Sequence, residues 1–206
     1  MRDNVAELLR LMLVTDDALV QGRDLVQLAL AAERGVISSL QLRLKQRPAR
    51  DLVELLRVLV QALTVPVLLN DRPDVALAGG AAGVHLGPGD VSVALVRRIA
   101  PPGFLLGSSV GSPDEAGPAK EADYWGIGPW RATQTKGDAG IGLGSDGFRA
   151  LLALAENTPC LAIGGIRPED VPLVRALGGS GVAVVSGILG TNDVEAAARV
   201  YRDAGQ

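Results

Sequence analysis

Residues 65–69, Val-Pro-Val-Leu-Leu, are apolar throughout, and the three that follow are an amide, a carboxylate and a guanidinium: Asn70, Asp71 and Arg72. Ending a buried run in such groups is costly unless something beyond it engages them. A second carboxylate, Asp90, comes within a few residues of the next apolar run, "GVHLG". Carboxylates delivered from neighbouring strand ends suit Mg²⁺, which prefers oxygen ligands, keeps waters and usually takes one or two carboxylates with substrate phosphate. Asp90 taken alone also reads as the N-cap of the helical stretch "VSVALVRRIA". One run earlier, "QLRLK" places Gln41, Arg43 and Lys45 on one strand face and Leu42 and Leu44 on the other. Two cations and an amide pointing together would meet an anion, or would form a solvated strand end running into the helix at Arg50.

Further along, "GPWRATQTKGDAG" opens with glycine and proline, alternates hydroxyls at Thr133 and Thr135, and follows them with Lys136. This composition suits a phosphate clasp, although its spacing is not that of a P-loop. Gly164-Gly165 and Val185-Ser186-Gly187 close later apolar runs, where backbone amides can bind phosphate or the glycines can simply turn the chain. With one histidine and one cysteine, the chain has no zinc ligand set and no convincing Ser–His or Cys–His pair. His85 lines a site or is a hydrogen-bonded core residue; Cys160 reads as a small buried apolar side chain.

These groups need a scaffold that carries them to one place. Eight short apolar runs, "LMLVTD", "SSLQLRL", "VPVLLND", "GVHLG", "FLLGSSV", "YWGIGP", "CLAIGGI" and "GVAVVSGIL", alternate with amphipathic or alanine-rich segments, a pattern that predicts parallel β-structure. After the second run, Arg50, Glu54, Arg57 and Gln61 share one helical face, and Leu52, Leu55, Leu56, Leu59 and Leu63 fill the other. The longest irregular stretch, 130–144, lies between the sixth run and its helix, and no linker divides the chain. We therefore expect one α/β domain over residues 1–206, a (β/α)8 TIM barrel with a short N-terminal helical extension; an open doubly wound sheet is the alternative. In a barrel the polar strand ends meet at the C-terminal mouth. Composition agrees: 48% hydrophobic residues and a formal net charge of -3 exclude a broad nucleic-acid grip. No stretch reaches the roughly 18 apolar residues of a membrane span. A cytoplasmic protein acting on small anionic molecules is expected, its oligomeric state left open, homo-oligomers included.

Taken in order and at matching spacing, "LVTD", "QLRLK", "LLNDRPDVALAGGAAGVHLG", Asp90, "GSSV", "DYWGIGPWRATQTK", "AIGGI" and "GVAVVSGI" make nearly the whole chain resemble the thiamine phosphate synthase family. The resemblance implies joining of 4-amino-5-hydroxymethyl-2-methylpyrimidine diphosphate to 4-methyl-5-hydroxyethylthiazole phosphate, with Mg²⁺ as cofactor and release of pyrophosphate. It implies Gln41, Arg43, Lys45, Asn70, Ser109, Thr135 and Lys136 around the pyrimidine diphosphate, with Arg43, Lys45, Ser109 and Lys136 as the catalytic set. Asp71 and Asp90 are implied at the metal, and Thr133, Gly165, Val185 and Ser186 near the thiazole phosphate. Ionisation of the substrate needs charge stabilisation of the leaving group more than an acid–base pair, which fits the scarcity of histidine. Leu44, Pro88-Gly89, the "WRAT" segment and Gly111 depart from the family's pattern. Gly111 stands where a histidine is usual, the residue that a thiazole tautomerase of the same fold would use. A non-catalytic binder of phosphorylated thiamine precursors is the third reading.

Overall fold

In the computed structural model, which describes residues 2–132 and 142–206, the eight apolar runs form eight parallel strands. They are β1 (Leu11–Val14), β2 (Ser39–Leu42), β3 (Val67–Asn70), β4 (Gly83–Leu86), β5 (Leu105–Val110), β6 (Tyr124–Ile127), β7 (Cys160–Ile163) and β8 (Gly181–Val184). Each pairs with its sequence neighbour and β8 returns to β1, closing the barrel. The open sheet is thereby excluded. The strands are short, and Arg43 and Lys45 lie beyond the end of β2 rather than in it. Their alternation nevertheless persists, with Leu42 and Leu44 buried in the outer core.

The apolar runs are continuous rather than alternating because both faces of each strand are covered. Leu11 and Leu13 of β1, Leu40 and Leu42 of β2 and Val67 and Leu69 of β3 belong to the core between strands and helices. Met12, Val14, Leu68, Tyr124, Leu161 and Ala183 point the other way and fill the barrel. Val5 and Leu9, from and just after the N-terminal helix Arg2–Leu8, join this inner cluster. The short extension thus plugs the end of the barrel opposite the mouth. On the helix Ala49–Ala62, Leu52, Leu56 and Leu59 are buried as the periodicity predicts.

Burial also settles the lone thiol. Cys160 is buried at the start of β7, and burial pushes its pKa up to about 12, far from a reactive thiolate.

Candidate active site

The C-terminal mouth opens into a cavity of about 440 Å³, a size that suits small-molecule ligands. Gln41, Arg43 and Asn70 line one wall, supplied by β2 and β3; Gly164, Gly165, Val185 and Ser186 line another, supplied by the loops after β7 and β8. His85, Ser109 and Gly111 also line the cavity.

The cationic wall is held in place by acids from the end of β1. Thr15 Oγ1 accepts from the Arg43 N–H at 2.8 Å and donates to the Arg43 carbonyl at 3.1 Å. The Arg43 guanidinium pairs through Nη1 with Asp16 at 3.2 Å. A guanidinium has five N–H donors, so this pair orients it and leaves donors for a ligand. Asp17 similarly accepts the Lys45 backbone N–H at 2.8 Å. Thr15 and Asp16 belong to "LVTD", and the acid immediately following a strand end was the available signal for them.

Asp71 stands at φ 65, a backbone conformation that Asp tolerates better than most residues but not without cost. Its N–H donates to the His85 carbonyl at 2.9 Å, tying β3 to β4. The Lys45 ammonium lies 3.2 Å from its carboxylate, and Asp90 lies beside it. Burial first, and then the neighbouring Asp71, hold the Asp90 carboxyl above the usual range, against the opposing effects of the Gly87 N–H and Lys45. The Gly87 bond, 2.7 Å to Asp90 Oδ2, fixes that side chain. Asp90 is not the helix cap: Ser92 caps the helix Val93–Arg97. Two half-buried carboxylates side by side form a hard, anionic donor set that suits a divalent cation. Among the described residues no group of three or more His, Cys, Asp or Glu is placed to hold a metal. The protein could therefore offer a cation these two carboxylates, with substrate and water completing the shell, which is the usual manner of Mg²⁺.

On the opposite side, Gly164 and Gly165 have φ of 94 and 65, and a side chain there would be strained. A Cβ on Gly164 would also meet Pro129 Cα at 2.8 Å. The departure "WRAT" explains itself here. Arg131 donates from its backbone to the Gly164 carbonyl and from Nη1 to the Gly165 carbonyl at 3.1 Å. Its guanidinium also grips Asp170 by both Nη1 and Nη2. Arg131 therefore latches the base of the loop after β6 to the loop after β7. Thr133, Thr135 and Lys136 lie outside the described residues.

Two further participants escaped sequence reasoning. Glu115, in the helix Pro113–Ala116, lines the cavity and accepts the Gly111 N–H at 2.6 Å; an acid in the first turn of a short helix carries no distinguishing signal. Tyr124 hydrogen-bonds His85 inside the barrel at 3.0 Å, and a strand aromatic reads as ordinary core.

The chain is similar over nearly its whole length to known proteins. The family model described as thiamine monophosphate synthase matches residues 11–188. The thiamine-phosphate synthase of Methanoculleus marisnigri is 45% identical over 199 residues, covering 94% of this chain and 93% of that protein. That of Moorella thermoacetica is 42% identical over 187 residues, covering 88% and 89%. A solved structure described as thiamine phosphate pyrophosphorylase from Pyrococcus furiosus superposes with a TM-score of 0.87 at 32% identity, covering 98% of this chain and 97% of the other.

Proposed function

Because the chain belongs to the thiamine monophosphate synthase family, we propose that its cavity joins the pyrimidine diphosphate to the thiazole phosphate by a dissociative substitution. The enzyme is a thiamine-phosphate synthase, a transferase of thiamine biosynthesis. The observation that carries the assignment of the site is the pairing of two unlike walls in one cavity, Arg43 and Asn70 on one and Gly165 and Ser186 on another. This arrangement suits two phosphorylated substrates held with their reacting ends together.

The diphosphate is read as lying along Arg43, Lys45, Asn70 and Lys136, with Thr135 beside it, and the thiazole phosphate on Thr133, Gly165, Val185 and Ser186. As the carbon–oxygen bond breaks, negative charge collects on the departing pyrophosphate and positive charge on the pyrimidine methylene. Arg43, preorganised by Asp16 and Thr15, meets the first of these charges without rearranging, and Lys45 and Lys136 add to it. The thiazole nitrogen, held close by its own phosphate, captures the cation. Gln41 and Ser109 orient the pyrimidine ring. No side chain need move a proton for the bond to form. Asp71 and Asp90 would hold Mg²⁺, which when bound adds Lewis-acid neutralisation of the leaving group. We place the activity in the cytoplasm, a reducing compartment that suits an unpaired Cys160.

Mixing the purified protein with both precursors, with and without Mg²⁺, tests this reading. We expect thiamine phosphate and pyrophosphate in equal amounts, dependent on the metal. Pyrophosphate release without coupling, or turnover indifferent to Mg²⁺, would overturn it.

A further inference from the structure

A line of polar side chains crosses the otherwise apolar interior of the barrel beneath the cavity. Tyr124 is 1% exposed and His85 7%. The Tyr124 hydroxyl lies 3.0 Å from His85 Nδ1, and His85 Nε2 lies 3.0 Å from Ser109 Oγ. Gln41, from β2, also lies within reach of the phenol. Space for the two rings is made by missing side chains. A Cβ on Gly107 would lie 2.2 Å from Tyr124 Cζ, and one on Gly126 would lie 3.1 Å from His85 Cε1. Both ring nitrogens of the imidazole are thus engaged, one inward and one toward the cavity.

The sense of these bonds can be assigned from the inner end. The phenol is buried and Gln41 lies beside it, with its amide nitrogen turned toward the barrel interior, so what it offers the phenol oxygen is a donor. Gln41 Nε2 also points at Met12 Sδ, 3.7 Å away, a weak acceptor. A phenol that accepts from Gln41 gives its one proton to His85 Nδ1. A neutral imidazole accepting at Nδ1 carries its proton on Nε2 and donates it to Ser109 Oγ. The Ser109 proton is then left to point into the cavity.

We propose that Tyr124 and His85 are positioning residues that present Ser109 to the pyrimidine as a hydrogen-bond donor, selecting a ring whose facing nitrogen is an unprotonated acceptor. A 4-aminopyrimidine offers such a nitrogen; a 4-oxopyrimidine in its lactam form carries a proton there and is refused. A donor facing a donor leaves both unpaired, the condition under which sites discriminate most strongly between analogues. This inference rests on the reading that Ser109 meets the pyrimidine, and it adds what determines the hydroxyl's polarity.

The chain has a single histidine, so one labelled imidazole reports the relay without ambiguity. In the full chain carrying ¹⁵N-histidine, long-range proton–nitrogen correlation at a pH where the spectrum shows a neutral ring should show the Nε2–H tautomer. Tyr124→Phe should abolish that preference. The same variant should raise KM for the pyrimidine diphosphate about tenfold, the scale of one hydrogen bond, leave KM for thiazole phosphate unchanged, and narrow the preference for the amino over the 4-oxo substrate. His85→Gln, which keeps a donor near Ser109, should retain more of that preference than His85→Leu. A dominant Nδ1–H tautomer would overturn the proposal, as would unaltered amino/oxo selectivity in Tyr124→Phe and His85→Leu while Ser109→Ala loses it. If Ser109→Ala itself leaves KM for the pyrimidine unchanged, the underlying placement of Ser109 falls instead, and the proposal with it.

Discussion

The carboxylates at the mouth show how one residue can serve two demands. Asp71 occupies a left-handed backbone position that asparagine also tolerates, and its side chain neighbours Asp90 and Lys45. Asp71→Asn should therefore keep the fold, seen as an unchanged melting temperature within about 2 °C. It should lower Mg²⁺-dependent turnover on the order of a hundredfold, since an amide is a poor ligand for a hard cation. Asp90→Asn should act alike. Wild-type turnover of either variant at limiting Mg²⁺ would remove that residue from the metal site. Cys160 makes the opposite point, being chemically silent because it is buried. With its pKa pushed up to about 12 by burial, it should resist a disulfide reagent at pH about 8 until denaturant is added. Rapid labelling of the native protein would show that β7 opens.

At the level of elements, the β6 and β7 loops are joined by Arg131 and Asp170. Burial alone would raise the Asp170 carboxyl; the Arg131 fork and the Arg167 N–H outweigh it and hold the group below its ordinary range. A carboxylate depressed in the folded state adds stability above its unfolded pKa, about 3.9, and loses that contribution as the pH falls toward the folded value. Asp170→Asn should cost about 2 kcal/mol at pH 7, below the range for a fully buried pair because Arg131 is partly exposed. The corresponding drop in melting temperature is about 4–8 °C. That gap should narrow as pH falls through about 4 and below. A gap of the same size at pH about 3 and pH 7 would mean that the ion pair contributes nothing beyond packing.

The whole molecule decides which chemistry the barrel performs. Moving a proton on a thiazole calls for a positioned acid–base group near neutrality, and the resemblance drawn from the sequence implies that a tautomerase of this fold would carry it at the end of β5. At that place Gly111 donates to Glu115, and even a Cβ there would meet the Gly128 carbonyl at 2.9 Å. His85 is occupied on both ring nitrogens by Tyr124 and Ser109. The purified protein should accordingly form thiamine phosphate without speeding aromatisation of the thiazole carboxylate tautomer. Rapid aromatisation without coupling, lost in His85→Asn, would reverse the assignment.

The repeated alternation of apolar run and amphipathic helix was enough to predict parallel strands covered on both faces, and the count of eight favoured a barrel; the pairing of β8 with β1 is what excluded the open sheet. Strand-end polarity was likewise legible: Asn70 and Asp71 follow an apolar run that ends at the mouth, and the Gln41, Arg43, Lys45 alternation survives although β2 stops at Leu42. What sequence could not carry were contacts between residues far apart in the chain whose types are unremarkable where they stand. Asp16 on Arg43, Arg131 on Asp170 and Tyr124 on His85 join positions separated by 27, 39 and 39 residues. Each is a strand aromatic, a loop cation or a terminal acid of a common kind until barrel closure brings its partner within hydrogen-bond reach. Periodicity is a local property imposed by burial and is therefore written along the chain; the pairing of polar groups depends on register and closure, which only the tertiary structure decides.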